Sequence, residues 1–233
     1  MTLPASGPLQ LGTQSGGSSI NSEFGYGNDL QSYLGVYYGK NGVEYRFPLP
    51  GNSISMGGSS SPNDAGFYST QKITGGNATY YSSTSITVPL YNQITVTCVG
   101  GSGGSSGGVG VNCSGSYVRA NLGSGGSGYV SSFGGYVSAG GGAGGSNQSY
   151  QFVPGDPGGV SSTTYTNPVQ DGGGGPPSGA SVYVTVGGGG PGGRGADTRW
   201  YYGGNCYYQY PGADVQAPGG SGGSAGYVQL VWA

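Results

Sequence analysis

Apolar and polar residues alternate in four short stretches of the chain: "SITV" from Ser85, "QITVTCV" from Gln93, "SVYVTV" from Ser181 and "GYVQLVW" from Gly226. β-Branched and aromatic residues with a period of two are the pattern of strands that bury one face. In the second stretch Ile94, Val96 and Cys98 take one face while Thr95 and Thr97 take the other. In the last, Val228, Leu230 and Trp232 share a face that closes a core. A shorter unit recurs as Tyr117-Val118, Tyr129-Val130, Tyr136-Val137 and Tyr227-Val228, each preceded by Gly or Ser. Its spacing is irregular, so it marks a reused device, a brief strand next to a glycine run, and no solenoid of fixed repeat. Helical periodicity is absent after residue 40, and the expected fold class is all-β.

Three zones follow from this pattern. Residues 1–40 form an N-terminal attachment segment with little helix. There Asn28 or Asp29 caps a short amphipathic turn bearing Leu30, Tyr33 and Leu34, which Gly39 is expected to end. Phe24, Tyr33, Tyr37 and Tyr38 read as exposed aromatics for assembly. Residues 41–84 read as an irregular connector, because "FPLPG" and scattered Asn, Gly and Ser favour an extended, edge-like path. Residues 85–233 are the glycine-rich β domain.

Between Cys98 and Cys113 the chain reads "CVGGSGGSSGGVGVNC". Gly/Ser tracts are ordinarily flexible tethers. This one lies between strand-like pieces, and it is expected to be packed. Together with Gly140–142, Gly172–175 and Gly187–190 it admits two structures. One is a β-sandwich with long ordered loops of the polyglycine II type, three residues per turn. The other is a β-sandwich with tight turns.

Composition sharpens these expectations. Glycine makes up 57 of 233 residues and charged residues only 6 %, where about 25 % is ordinary. Such a chain tends toward disorder, but 21 tyrosines supply the aromatic surface that cores and interfaces need. A net charge of −2 lacks the basic footprint of a nucleic-acid binder. No apolar run reaches the ~20 residues of a membrane helix. "MTLPASGPLQ" has neither the basic nor the apolar part of a secretory leader, so synthesis in a cytoplasm is expected.

The chemistry is sparse. The chain has no histidine, which removes Ser-His-Asp and Cys-His catalysis and the commonest metal ligand. Its three cysteines lack C-x-x-C spacing, and neither Lys40 nor Lys72 sits in a phosphate-binding loop. No metal or cofactor is expected. Asp156, Asp171, Asp197 and Asp214 adjoin Gly, Pro or Ala, where Asp ordinarily makes turn hydrogen bonds. Cys98 and Cys113 are either a disulfide closing a short loop or small buried hydrophobes. One constellation stands out, "RWYYGGNCYYQYP" from Arg199. Trp200, Tyr201, Tyr202, Tyr207, Tyr208 and Tyr210 give rigid contact area at low entropic cost, and read either as a receptor-binding surface or as a hairpin covering a core without side chains.

"YNQITVTCVGGSGGSSGG", "SVYVTVGGGGPGG" and the terminal "GGSAGYVQLVWA" resemble the glycine-rich domain of tail-fibre and related virion proteins of tailed bacteriophages. "LPASGPLQL" with "SINSEFGYGNDLQSYLGVYYG" is similar to the N-terminal segment of many phage structural proteins. The more distant likeness is to T-even tail-fibre adhesins, whose glycine motifs form a polyglycine helix lattice carrying receptor-binding loops at one end. The N-terminal zone and the motif spacing depart from that pattern. The resemblance implies a non-enzymatic virion protein of a tail fibre, tail tip or baseplate. It implies other virion proteins, further copies of itself, and a bacterial surface glycan or outer-membrane protein as partners. A lectin-like module acting through residues 199–211 is the alternative.

Overall fold

The computed structural model describes residues 19–26, 29–40, 43–47, 70–106, 112–113, 116–117, 124–146, 153–168, 173–193 and 220–233. It is all-β. Among these residues helix is confined to α1 (Ile20–Phe24) and a 3-10 turn, η1 (Leu30–Tyr33). The strands are β1 (Tyr37–Lys40), β2 (Val43–Arg46), β3 (Thr70–Gln71), β4 (Gly76–Tyr80), β5 (Thr84–Thr87), β6 (Gln93–Val99) and β7 (Asn112–Cys113). They continue with β8 (Ser116–Tyr117), β9 (Ser131–Phe133), β10 (Val137–Ala139), β11 (Val160–Thr166), β12 (Ser181–Thr185) and β13 (Tyr227–Trp232).

Two four-stranded antiparallel sheets, ordered β11-β6-β13-β4 and β10-β9-β12-β5, turn their apolar faces to a common core. Ile94, Val96 and Cys98 of β6 and Val228 and Leu230 of β13 are fully buried, as their alternation requires. They meet Phe133, Val137, Val182 and Val184 from the opposite sheet. Each such side chain contributes roughly 1.5–3 kcal/mol on burial. The outer faces carry hydroxyls that pair across strands, Thr95 with Thr164 at 2.8 Å and Thr97 with Ser162 at 2.9 Å.

β1, β2 and β3 form a smaller sheet in the order β2-β1-β3. With α1 and η1 it encloses a second core of Ile20, Phe24, Tyr33, Tyr38 and Phe47. Asp29 caps η1 by accepting from the Gln31 N–H at 3.0 Å. The turn ends at Leu34 and Gly35, whose φ of +76° suits glycine, and not at Gly39. Gly39 lies inside β1, where an added Cβ would strike the Leu90 side chain. The segment 41–84, expected as irregular, supplies β2, β3 and β4. β2 pairs with β1 next to it, while β3 and β4 pair with β1 and β13, more distant along the chain, which their own composition does not signal.

Beyond the sheets, six strands run on into six glycine-rich segments: 100–106, 125–129, 140–145, 153–159, 187–193 and 220–226. Segment 100–106 is the hub. The N–H groups of Gly100, Gly103 and Ser106 donate to Gly159, Asp156 and Val153 at 2.9–3.0 Å. Those of Gly101 and Gly104 donate to Tyr129 and Gly126, and those of Ser102 and Ser105 to Ser224 and Ser221. Its carbonyls at 101 and 104 accept from Gly142 and Gly145, and those at 102 and 105 from Gly190 and Gly193. Partners change with each residue and return at every third, the period of a three-residue turn. A side chain at the inward positions is excluded, since a Cβ on Gly101 would collide with Gly188 and one on Gly103 with Ala143. Outward positions recur with the same period and carry what glycine does not: Ser124 and Ser127, Pro154 and Pro157, Ser221 and Ser224 are all exposed. Proline lacks an N–H, and at an outward position no ladder bond is lost.

Segment 100–106 is therefore fold and not tether, and all of it but the half-buried Ser102 is buried. Gly103→Ala is expected to destabilise the protein by at least about 3 kcal/mol, because backbone on both sides of the gap must move. Gly140→Ala, where an added Cβ meets nothing within 4 Å, is expected to change stability by less than about 1 kcal/mol. Urea unfolding of the two variants checks this, and equal midpoints would refute the packed-glycine account.

Candidate functional site

The six glycine segments end together on the side away from the sheets. There Ser106 bonds to Val153 at 2.9 Å, Gly125 to Gly145 at 2.9 Å and Gly220 to Gly193 at 2.8 Å. The chain thus departs and returns at this end between residues 106 and 124, 146 and 153, and 193 and 220. Trp200, Tyr201, Tyr202, Tyr207, Tyr208 and Tyr210 lie outside the described residues. Residues 193 and 220, the described residues on either side of them in sequence, are brought together by the Gly220–Gly193 hydrogen bond.

The aromatics proposed for assembly are placed differently from expectation. Phe24, Tyr33 and Tyr38 are buried, and Tyr37 is half-buried. Tyr38 stacks on Phe47 with ring centroids 4.2 Å apart, and Phe24 meets Tyr33 edge-on at 6.1 Å. Ile20 and Phe24 sit four residues apart on α1 and close onto the hairpin of β1 and β2, so Phe24, Tyr33 and Tyr38 build a core, with the exposed Tyr26 edge-on to Tyr33. Burial also raises the Tyr33 hydroxyl above its ordinary value, against a lowering hydrogen bond from Tyr26. A boundary at residue 40 would cut this unit, because β1 pairs with both β2 and β3.

The described surface around both sheets and the glycine segments carries almost no charge. Among the described residues from 73 onward, Asp156 is the sole charged side chain. Tyr81, Tyr129 and Tyr183 stand 74 %, 62 % and 57 % exposed among hydroxyl groups. Among the described residues Asp156 has no second acidic side chain near it, and Asp171, Asp197 and Asp214 lie outside the described residues. No group of metal-ligating side chains occurs among the described residues.

Where the small N-terminal core meets the two sheets, a pocket of about 380 Å³ opens. Lys72, Thr74, Thr87, Pro89, Leu90 and Trp232 line it. The Trp232 indole lies across Gly76, where an added Cβ would touch the ring. The N–H of Lys72 donates to Glu23 Oε1 at 3.0 Å, and its ammonium sits 6.0 Å from the centre of the Tyr26 ring. Trp232, expected in the core, packs partly buried against it, and sequence reasoning gave Lys72 no role. The signal in the sequence, an aromatic at a strand end, is shared with any core residue.

No family model matches the chain, and neither curated proteins nor solved structures show a significant similarity to it.

Cys98 is a free, fully buried thiol whose Sγ donates to the Val137 carbonyl at 3.6 Å. The side chain of Cys113 lies outside the described residues. Burial pushes the Cys98 thiol up to about 11 from its ordinary 9.0. The fold holds the neutral form, so its contribution is whole below about pH 9 and is lost as pH rises toward 11. The urea midpoint is expected to fall across that window, and to fall less in Cys98→Val. Parallel pH profiles for the two proteins would contradict the buried thiol.

Proposed function

We propose that this chain is a non-enzymatic structural protein of a tailed-phage virion, a component of the tail fibre, tail tip or baseplate that meets the host surface. The observation that carries the reading is the hydrogen-bonded glycine body with three chain excursions anchored at one end, among them the segment bearing six aromatics. Stacked helices of the polyglycine II type give a stiff, narrow support without a side-chain core. Variable chain can then be presented at its end at little cost to the support, because neither anchor depends on what lies between. The resemblance of the glycine tracts and of the N-terminal segment to phage structural proteins points the same way.

The near absence of charge bears on the partner. A chain with only 6 % charged residues exerts little long-range steering, so recognition rests on stacking, shape and hydroxyl hydrogen bonds. Those are the means of binding a bacterial surface glycan or the rim of an outer-membrane protein. The same feature favours the second reading, a lectin-like module acting through residues 199–211. Protein copy number on purified particles separates the two, since a virion component is present in fixed stoichiometry and a free lectin is not.

Trp200→Ala with Tyr208→Ala removes stacking surface worth about 1 to 3 kcal/mol per ring at a contact hot spot. Adsorption of particles to host cells is expected to slow by about tenfold or more, with assembly and melting temperature unchanged. A lower melting temperature with adsorption per folded particle unaltered would end the receptor role of this segment.

A further inference from the structure

We infer that the pocket beside Trp232 is a binding site for a sugar residue that carries a carboxylate, of the hexuronic acid class. It lies at the end of the sheets remote from the anchored aromatic segment, and the inference does not rest on that segment's role. β13 begins where segment 220–226 leaves the glycine body and finishes at Trp232, so the length of the strand separates the two places.

A volume of about 380 Å³ falls within the range of small-molecule sites. The lining supplies both kinds of chemistry. Trp232, Leu90 and Pro89 are apolar, and Gly76 backs the indole so that the ring lies along the backbone. The C–H face of a pyranose packs on such a ring, since it is the one apolar surface a sugar has. Thr74 and Thr87 carry hydroxyls that donate and accept, which suits the hydroxyls of the same sugar.

The charge comes from Lys72. Its side chain is exposed, and it makes no ion pair among the described residues. What it approaches is the Tyr26 ring at 6.0 Å, a distance at which attraction to the ring is weak. A carboxylate on the sugar gives this ammonium a charge-assisted partner. A phosphate is a poorer fit, because among the described residues the lining offers one cation, Lys72. A neutral sugar uses the indole and leaves the cation idle.

Binding is measured by tryptophan fluorescence on the full chain carrying Trp200→Phe, so that all emission comes from Trp232. The probes are methyl glucuronide, methyl glucoside and acetate. Methyl glucuronide is expected to shift the emission saturably in the millimolar range of a single-sugar contact, on the order of 1 mM. Methyl glucoside is expected to bind at least tenfold more weakly, and acetate to leave the emission unchanged. Lys72→Met, at an exposed position, is expected to weaken methyl glucuronide at least tenfold and to leave methyl glucoside as it was. Absence of a saturable response overturns the proposal. So does equal binding of the two glycosides, an acetate response equal to that of methyl glucuronide, or full binding by the Lys72→Met protein.

Discussion

Everything on the far side of the sheets depends on backbone hydrogen bonds that cross between two layers. Sheets packed through side chains stand about 10 Å apart, too far for one backbone to reach another. At Gly100 the side chains stop, the layers close, and amides of segment 100–106 reach partners in the facing layer as well as in their own. Glycine loses more conformational freedom on folding than any other residue. Here that loss is offset because every N–H from Gly100 to Ser106 finds a carbonyl at 2.9–3.0 Å with no water between. Remove the inward glycines and the layers cannot approach. The ends at residues 193 and 220 would then not meet, and the aromatic segment would lose its common anchor.

The two kinds of core demand opposite sequences on one continuous chain. Within β6, Ile94, Val96 and Cys98 fill space; three residues later Gly101 must leave it empty. The Tyr-Val units mark several of these transitions. Tyr129-Val130 precedes β9, Val137 opens β10, and Tyr227-Val228 opens β13, with Val137 and Val228 buried. Two of the units, Tyr129-Val130 and Tyr227-Val228, sit where a glycine segment joins a strand, and Tyr136-Val137 closes the turn between β9 and β10, so no repeat length governs them.

Legibility in the sequence tracked the range of the interaction that decided each feature. The strand over 93–99 and the shared face of Val228 and Leu230 were readable because alternation is local. The Asp29 cap was readable for the same reason, its carboxylate reaching only two residues along the chain. The small aromatic core was misread as an exposed face. Tyr33, Tyr38 and Phe47 gain their burial from one another and from Ile20 and Phe24, and no single stretch shows that closure. The strands within 41–84 were missed because β3 has two residues and β4 pairs with β13, about 150 positions later. The pocket beside Trp232 needs residues 71–90 together with the far-off Trp232 and had no signature at all.

By itself the sequence determined the fold class, the buried faces of the long strands and the absence of histidine. It also held, unread, the three-residue period of the glycine segments, visible as serine or proline at every third place. What only the tertiary structure decided is which segments neighbour which. Glycine has no side chain to specify a partner, and a backbone amide bonds as well to one carbonyl as to another. The choice falls to the strands that feed the glycine segments. Their alternating side chains set the order and register of the two sheets, and the glycine backbone continues the arrangement it receives.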